Sequence, residues 1–516
     1  MTVHLNKRVF SNHFHYPLSN SKYWDVGALI AGILFTLAFA PFDYSYLALP
    51  ALGFLFACWR NISAKRAALR GYCFGLGAFG SGLHWVYISM HDFGGANAFS
   101  SALLTGVFIG FWALFPALAG YLSVKTIQLN KGVGQLILMP VIWILVEYFR
   151  GYWVLNGFPW LQIAYSQLDT PLAGYIALSG VYGSGFIAAL SAALIVGIGL
   201  DCNRLLLITG LAVIWATGGL LRQITWSHEI GPPLSIAMIQ GNIAQDQKWR
   251  PENKTATLLT YKNMTEQHWD ANIVIWPETA IPAFLDQVKD NFLLPLSNDA
   301  KAHHTDLITS VPSQNSSLNK KYNTVITLGK QEGMYHKIHL LPFGEYLPLQ
   351  PLSGWVLDMI HIRLGNFTPG TTNQPLLQAG GYPFVTLICY EDAFGDLSIK
   401  GLPDAAFLVN VTNDGWFGHS IEPHQHLQIA RMRAIETGRF LLRSTNTGAT
   451  AIVSPSGAIV KLAPLFQETA LTGTITPMGG MTPYAKCGDQ PIISGIMMLL
   501  LGLIGYSRYF LTKNNV

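Results

Sequence analysis

Three side chains suited to acyl transfer each close a short apolar run. Cys389 closes FVTLIC, Glu278 closes NIVIWPE and Lys337 closes MYHK. A cysteine thiol has an ordinary pKa of about 8.5, so a nucleophilic cysteine needs a base or a neighbouring cation. A carboxylate can take the thiol proton, and an ammonium can stabilise the oxyanion formed when the thiolate attacks a carbonyl.

Each of these residues also has a plain structural interpretation. A cysteine that ends an apolar strand is most often a core residue, and a glutamate after Trp-Pro is usually a cap. A buried strand that presents a polar residue at its C-terminal end is nevertheless a common way to build a rigid site. The three residues together are far more specific than any one of them.

The elements that must position these residues are short β-type runs separated by helical patterns. The predicted strands are Leu234–Gln240, Asn272–Trp276, Asp306–Val311, Tyr322–Leu328, Phe384–Cys389, Ala405–Val411, Phe440–Arg443, Ala449–Val453 and Ala470–Ile475. Helical patterns cover Pro251–Asp270 and Pro423–Arg439. Apolar strands alternating with amphipathic helices predict sheets covered by helices.

In this order, the three motifs resemble those of the nitrilase (carbon–nitrogen hydrolase) superfamily. The matching stretches are WPET (276–279), HKIHLLPFGEYLP (336–348), CYEDAF (389–394), NDGWFG (413–418) and HLQIARMRAIETGR (426–439). The resemblance implies a four-layer αββα sandwich with a catalytic Glu278, Lys337 and Cys389.

Three further residues are expected to support this site. The backbone N–H of Tyr390 would share oxyanion stabilisation with Lys337. Glu345 would hold Lys337 or relay protons, and Glu391 would orient the pocket. A purely structural ion pair is the alternative for both glutamates.

Composition divides the chain into two parts. Half of the 516 residues are hydrophobic and 12% are charged, with a mean hydropathy of +0.32. These values exclude a disordered chain and indicate a membrane protein. Six acidic residues precede residue 226 and the other 22 of the 28 follow it, so an apolar part precedes an ordinary globular one.

Nothing in the sequence calls for a cofactor, a metal or nucleic acid. Five cysteines without a CxxC pair argue against a disulfide framework and a zinc site. There is no phosphate-cradling glycine loop or nucleotide fingerprint. The net charge of +4 is small for this length and forms no basic stripe.

Eight apolar runs predict membrane-spanning helices, most of them long enough to cross about 30 Å of hydrocarbon. They are 24–41, 43–59, 71–89, 98–123, 133–149, 172–199, 204–222 and 491–511. The first two are short, and a re-entrant hairpin is the alternative for them. Residues 1–225 are thus a membrane domain with seven predicted helices, 226–490 an external catalytic domain, and 491–516 a final helix and tail.

Lysine and arginine set the expected orientation. The clusters Lys7/Arg8/Lys22, Arg60/Lys65/Arg66/Arg70, Lys125/Lys131, Arg204 and Arg508/Lys513 all fall on one side of the predicted spans. Arg150 is the exception. Because positive residues favour the cytoplasmic side, we expect both termini in the cytoplasm and residues 226–490 on the external side of the membrane.

Two polar stretches lie within the membrane half. They are SGLHWVY (81–87), and EYFR (147–150) followed by GFPWLQ (157–162). Such residues at helix ends are usually interfacial anchors. The alternative is that they line a lipid entrance.

An α/β domain between the seventh and eighth predicted spans resembles the apolipoprotein N-acyltransferase family along essentially the whole chain. HWVYIS (84–89), EYFRG (147–151), GFPWLQIAYSQ (157–167) and QGNIAQDQKW (240–249) carry the resemblance. Gly415 departs from it, since Ala or Ser is expected there. The resemblance places Trp249 in a mobile loop near the site, whereas its chemistry alone indicates an interfacial anchor.

The resemblance implies a two-step transfer. Cys389 would take the sn-1 acyl chain of a phospholipid donor, typically phosphatidylethanolamine, as a thioester. The α-amine of an S-diacylglyceryl cysteine on an apolipoprotein would then accept that chain. We expect a monomer that needs no cofactor.

The apolar segment Pro348–Phe367 follows the Lys337 motif directly. It includes Trp355, Leu357 and Ile360, which would form a membrane-dipping arm or lid that controls substrate access. Buried packing of the same residues is the alternative.

Two other functions remain open from the residues themselves. A membrane-tethered amidase or nitrilase needs the three reactive residues but no lipid-facing arm. A transporter or scaffold with a degenerate domain needs none of them, and the intact Glu/Lys/Cys set argues against it. The predicted spans also carry no charged relay of the kind pumps use.

Overall fold

A computed structural model describes residues 22–127, 133–199, 203–349, 351, 354 and 366–513. A helical part leads to an α/β part, and one long helix follows. The α-helices are α1 Tyr23–Thr36, α2 Ala48–Cys58, α3 Ala64–Gly82, α4 Trp85–Ile88, α5 Ala98–Ile127, α6 Val133–Tyr152, α7 Ile176–Gly199, α8 Arg204–Leu221, α9 Lys254–Glu266, α10 Leu285–Val288, α11 Leu294–Ala302, α12 Gly395–Ile399, α13 Glu422–Thr437, α14 Pro483–Cys487 and α15 Gln490–Lys513.

Each of the eight apolar runs overlaps a helix. Among the described residues, three helices are long and apolar enough to cross a bilayer: Ala98–Thr126, Pro171–Gly199 and Arg204–Leu221. Three shorter apolar helices are Tyr23–Thr36, Ser45–Cys58 and Gln490–Tyr506. The count of eight spans stays a prediction.

Helix α3 does not follow the run 71–89. It begins at Ala64, after Ser63 accepts a hydrogen bond from the Arg66 N–H, and ends at Gly82. Its first turns are charged, but Arg66 pairs with Asp25 of α1 at 2.6 Å. The helix therefore includes the charged residues before 71, which hydropathy alone excludes from a membrane span.

The α/β part contains two six-stranded sheets. The strands are β1 Ser227–Glu229, β2 Leu234–Gln240, β3 Ile273–Ile275, β4 Asp306–Asn315, β5 Lys320–Leu328, β6 Gly333–His336, β7 Leu377–Ala379, β8 Tyr382–Ile388, β9 Phe407–Thr412, β10 Leu441–Thr445, β11 Ala451–Val453, β12 Ile459–Leu462, β13 Thr469–Ile475 and β14 Met478–Gly480. One sheet has the order β13-β2-β3-β4-β5-β6 and the other β12-β11-β10-β9-β8-β7. Strands β1 and β14 pair separately, antiparallel.

The two large sheets pack face to face over an apolar core. Met238 and Ile275 of the first sheet share this core with Ile388 and Val409 of the second. The outer face of the first sheet is covered by residues of α9 and α11, and α13 lies on the outer face of the second. These four layers confirm the predicted αββα sandwich.

Helix α13 also joins the two parts of the chain. Arg431 makes two hydrogen bonds to Asp169, at 2.6 and 3.0 Å, and Glu436 accepts a hydrogen bond from the backbone N–H of Val181 at 2.9 Å. The apolar core around α13 continues into the membrane helices without a break. The outer helical layer of the sandwich therefore also forms the contact between the α/β part and the helical part.

Candidate active site

Three strand ends converge on one site. Glu278 lies three residues after β3, while Lys337 and Cys389 directly follow β6 and β8. Glu278 and Lys337 are buried, and Cys389 is partly exposed. The charges of Glu278 and Lys337 both act on the Cys389 thiol. The structure thus brings the three predicted residues together.

The backbone of Cys389 adopts a conformation that presents its side chain at a sharp turn. Its φ is +51°, in the left-handed region that non-glycine residues seldom occupy. Residues Cys389–Ala393 form the following 3₁₀ turn. Cys389 therefore lies in a strained conformation at the junction of β8 and this turn, and such strain is common at functional sites.

The resting thiol is protonated. Burial of the sulfur and the charge of Glu278 together raise the pKa of Cys389 to about 12, although the charges of Lys337 and His426 oppose the rise. Burial also raises the pKa of Glu278, against the lowering effect of Lys337. The raised pKa makes the ionised form of Glu278 a better acceptor for the thiol proton than an ordinary glutamate carboxylate.

Lys337 stays an ammonium. Burial alone would lower its pKa, but the charges of Glu345, Cys389 and Glu278 outweigh it and raise the pKa. Its Nζ lies 2.7 Å from Glu345 Oε2. Glu345 Oε2 also accepts a hydrogen bond from the Leu341 N–H at 2.8 Å, which fixes the carboxylate. Of the two expected roles, the geometry favours holding Lys337.

Asn323 is a site residue that the sequence analysis missed. Its Nδ2 donates to Glu278 Oε1 at 2.7 Å and to Glu345 Oε1 at 3.0 Å. The amide therefore lies between two carboxylates that would otherwise repel each other. Asn323 sits on β5, where the alternation YNTVITL gave only a strand signal.

Glu391 anchors the loop after Lys337 to the Cys389 turn. Its carboxylate accepts hydrogen bonds from the backbone N–H groups of Ile338, His339 and Ile388 at 2.7, 3.0 and 2.8 Å. The Tyr335 hydroxyl donates to it as well, at 3.1 Å. Burial raises the pKa of Glu391 to about 7, although the charge of Lys337 and the three backbone donors lower it. Its donors among the described residues are three backbone N–H groups and the Tyr335 hydroxyl, so the geometry favours a role in orienting the pocket over a structural ion pair.

Tyr390 connects the nucleophile turn to the membrane part. Its hydroxyl donates to the Gly157 carbonyl at 2.8 Å, and its ring stacks near that of Trp160. His339, in the loop after Lys337, donates through Nε2 to the Asn156 carbonyl at 2.8 Å. Loop 156–160 therefore touches both halves of the site.

Buried charges hold this loop from the membrane side. Arg150 donates to the carbonyls of Phe158 and Trp160 at 2.9 and 2.7 Å. Glu147 accepts from the Ile163 N–H at 3.3 Å and from Trp143 Nε1 at 3.0 Å. Both charged residues are buried. The interpretation of Glu147 and Arg150 as interfacial anchors is therefore wrong, because these two side chains shape the loop. For Phe149 of the same stretch, which is 47% exposed, it stays a prediction.

Two tryptophans of the polar stretches face the α/β part. The indole N–H groups of Trp85 and Trp160 both donate to Gln425 Oε1 of α13, at 3.2 and 2.8 Å. Both side chains are buried. They are contacts between the two parts of the chain, and the anchor interpretation fails for them too.

A buried ionic network lies behind the nucleophile turn. His426 contacts Asp392 through Nε2 at 2.9 Å and Asp414 through Nδ1 at 3.0 Å. Arg443 pairs with the same two aspartates at 2.7 and 3.1 Å. These carboxylates raise the pKa of His426 well above its ordinary value, against the effects of burial and Arg443, so its ring is a cation.

This network contains the described group whose side chains come nearest to a metal-ligand set, Asp414, Glu422 and His426. Both His426 ring nitrogens are directed at carboxylates, and Arg443 occupies Asp414. Two cations already face the carboxylates, so the chemistry of the donor set does not fit a metal ion.

The residues expected to control substrate access are only partly within the described chain. Trp249 lies in the loop after β2 and is 49% exposed. Trp355, Leu357 and Ile360 lie outside the described residues, so the arm formed by Pro348–Phe367 stays a prediction. At Gly415, a Cβ would lie 3.1 Å from Asn413 Oδ1, so the expected Ala or Ser would need a small adjustment of that side chain.

Comparison with known proteins covers both parts of the chain. The family model for the apolipoprotein N-acyltransferase N-terminal domain matches residues 31–194, and the carbon-nitrogen hydrolase model matches residues 235–483. Among solved structures, Saccharomyces cerevisiae Nit3 aligns over 48% of this chain and 92% of its own, with 18% identity and a TM-score of 0.36. An amidase from Nesterenkonia sp. aligns over 52% and 98%, with 17% identity and a TM-score of 0.36.

Curated relatives are similar over nearly the full length. "Apolipoprotein N-acyltransferase" of Methylococcus capsulatus is 49% identical over 93% of this chain and 94% of its own. The proteins of the same name from Nitrosomonas europaea and Pseudomonas aeruginosa are 38% and 39% identical, over 92% of this chain and 96% and 95% of theirs. The matches include the helical part as well as the α/β part. This chain therefore belongs to the apolipoprotein N-acyltransferase family.

Proposed function

We propose that the chain transfers an acyl group from the sn-1 position of a membrane phospholipid to the α-amine of an S-diacylglyceryl cysteine on an apolipoprotein. Phosphatidylethanolamine is the expected donor. The observation that carries the proposal is the 49% identity, over 93% of the chain, to a relative named "Apolipoprotein N-acyltransferase". The grouping of Glu278, Lys337 and Cys389 at three strand ends supports it.

In the first step the Cys389 sulfur attacks the ester carbonyl of the donor. Its proton passes to Glu278, a carbon–sulfur bond forms, and the ester carbon–oxygen bond breaks. Glu278 then protonates the leaving alkoxide, which departs as lysophospholipid. The Lys337 ammonium and the backbone N–H of Tyr390 stabilise the oxyanion. The buried position of Lys337 and its pairing with Glu345 support this role, because a fixed charge in a water-poor site needs no reorganisation.

In the second step the lipoprotein amine attacks the thioester. A carbon–nitrogen bond forms and the carbon–sulfur bond breaks. Glu278 accepts the amine proton and passes it to the departing sulfur, which restores both the thiol and the carboxylate. The cycle is ping-pong, since the first product leaves before the acceptor reacts. Water must lose to the amine, and a site next to lipid would help to exclude it.

The location of the protein is part of the proposal. The chain would be a multi-pass monomer in a bacterial inner membrane, with both termini in the cytoplasm and residues 226–490 in the periplasm. The one-sided lysine and arginine clusters support this orientation. Trp249 and the arm containing Trp355, Leu357 and Ile360 would receive the donor's acyl chains.

Trapping the acyl-enzyme tests the function. The full chain in phosphatidylethanolamine vesicles should gain one fatty-acyl mass on the Cys389 peptide, and hydroxylamine should remove it. Adding an S-diacylglyceryl cysteinyl peptide should move that mass to the peptide amine.

Cys389→Ser should give neither product. Cys487→Ser is the matched control, because its thiol is exposed and lies outside the site, and it should keep both. Hydrolysis of a small amide by a chain that never acquires a lipid acyl group would identify an amidase instead. A chain with neither activity would be a scaffold.

A further inference from the structure

Lys248 is a buried cation that the mechanism above does not use. Its side chain is fully buried, whereas the next residue, Trp249, is 49% exposed. Its Nζ donates to the backbone carbonyl of Glu278 at 3.2 Å. The loop that carries Trp249 is therefore held to the backbone of Glu278 through the preceding residue, Lys248.

The fold of the loop determines where this ammonium lies. Asn446 exchanges two hydrogen bonds with Ile243, at 3.0 and 2.7 Å. Gln245 accepts from Asn413 at 2.8 Å, and the Lys248 N–H donates to the Ala244 carbonyl at 3.0 Å. The buried ammonium is thus directed at Glu278 by a framework of polar contacts and is not free to reach solvent.

The charge of Lys248 acts on the Glu278 carboxylate. Among the described residues, four ionisable groups act on or are acted on by that carboxylate: Lys337, Glu345 and Lys248, and the Cys389 thiol. Glu345 raises the pKa of Glu278, and the two lysines lower it. An isolated buried ammonium is costly, and burial lowers the pKa of Lys248 to about 8, with Glu278 opposing the change.

We propose that Lys248 is a positioning residue for Glu278, holding the backbone of the base and supplying a positive charge that keeps its carboxylate ionised. This rests on the proposed role of Glu278 as base. It also gives the loop of Trp249 a mechanical connection to the base, so that a displacement of the loop displaces both the carbonyl contact and the charge.

The test is the pH dependence of Cys389 reactivity in Lys248→Met, which removes the charge and keeps an unbranched apolar side chain. Without the cation Glu278 is protonated more easily, so the acid limb moves to higher pH. Below that limb we expect a loss of about threefold or more in the rate, corresponding to a shift of about half a pH unit. The loss should shrink above about pH 8, where Lys248 itself loses its proton.

Two reactions are followed on the full chain in vesicles. One is acylation by phosphatidylethanolamine and the other is alkylation of Cys389 by iodoacetamide. Alkylation needs only the Cys389 thiolate, which forms when the ionised Glu278 takes the thiol proton. The alkylation rate therefore reports on the effect of Lys248 on Glu278 even if the lipid reaction is absent and the proposed function fails. Lys262→Met is the matched control, since Lys262 lies on α9 with a surface partner, Glu266, at 3.6 Å.

Parental pH profiles in a normally melting Lys248→Met protein would overturn the proposal. A loss of equal size at every pH would also overturn it, since it would indicate packing alone. If Lys248→Met melts early, Lys248→Arg decides. An arginine variant with the parental acid limb supports a role for the charge, and one with a limb shifted towards higher pH rejects it.

Discussion

Replacing Asn323 with leucine should move the acid limb of acylation to higher pH. Asn323 is buried, and leucine has a similar size but cannot donate. The change removes the 2.7 Å hydrogen bond to Glu278 Oε1 and the 3.0 Å hydrogen bond to Glu345 Oε1. The first of these lowers the pKa of Glu278 because it stabilises the carboxylate.

The size of the shift follows from the strength of that hydrogen bond. A hydrogen bond to a charged group contributes about 1.5–3 kcal/mol, and one pKa unit corresponds to about 1.4 kcal/mol. Losing the bond should therefore raise the pKa of Glu278 by about one to two units. Below the limb, the rate of acylation should fall by about 10- to 100-fold, and above it the rate should approach that of the parent protein.

Single-turnover acylation of Cys389 between about pH 5 and pH 9 measures this shift. Thr309→Val is the matched control, because Thr309 lies on the neighbouring strand β4 and is fully buried, and its hydroxyl makes no hydrogen bond to any described residue. An Asn323→Leu protein with native melting and an unshifted limb would show that the amide does not control the ionisation of Glu278. A limb shifted towards lower pH would refute the electrostatic reasoning altogether.

Two further outcomes are expected. Tyr390→Phe leaves the buried Gly157 carbonyl without its 2.8 Å donor, which should cost about 1–3 kcal/mol of stability and slow acylation; an unchanged melting temperature and rate would show that this contact between the two parts is dispensable. Reporter fusions after residues 65, 128 and 513 should report cytoplasm, and one near residue 300 should report periplasm, because the positive clusters lie on one side; a cytoplasmic signal near residue 300 would overturn the predicted orientation.

Local patterns were sufficient to predict the strands before Glu278 and Cys389, whereas β6, which precedes Lys337, is not among the predicted strands. Strand β2 has the predicted limits, and β3, β6 and β8 each end close to a predicted site residue. A run of alternating or continuous apolar residues indicates by itself that the strand is buried, so the position of such a strand can be predicted from the local sequence. Cys389 was recognisable because it follows such a run and occurs together with Glu278 and Lys337 in the order of the nitrilase motifs.

Residues that act through long-range contacts could not be predicted in this way. Asn323 looks like an ordinary strand residue until β5 lies next to Glu278 and Glu345. Lys248 precedes an exposed tryptophan, and nothing local indicates that it points inward. The hydrogen-bond partners that determine the roles of Asn323 and Lys248 lie 22 to 45 residues away in the sequence.

The limits of α3 were missed for an electrostatic reason. An apolar run excludes charged residues because an isolated charge in lipid is costly. Arg66 and Arg70 both contact Asp25 of α1, at 2.6 and 3.5 Å, and Arg70 also donates to the Cys58 carbonyl at 2.7 Å. Charges that the bundle itself satisfies can lie inside a helix that hydropathy alone would shorten.

The pairing of β1 with β14 has a consequence for how such a chain could arise. Ser227 lies opposite Gly480 and Glu229 opposite Met478, so the two ends of the α/β part leave it side by side. For helices α8 and α15, the intervening segment 230–477 therefore acts like a short connecting turn. Bringing the two helices together across this segment costs little conformational entropy. A domain with adjacent ends can be gained by a single gene insertion between two helices, without displacing either of them. The same junction is the natural place to exchange the domain for a related one in a chimera.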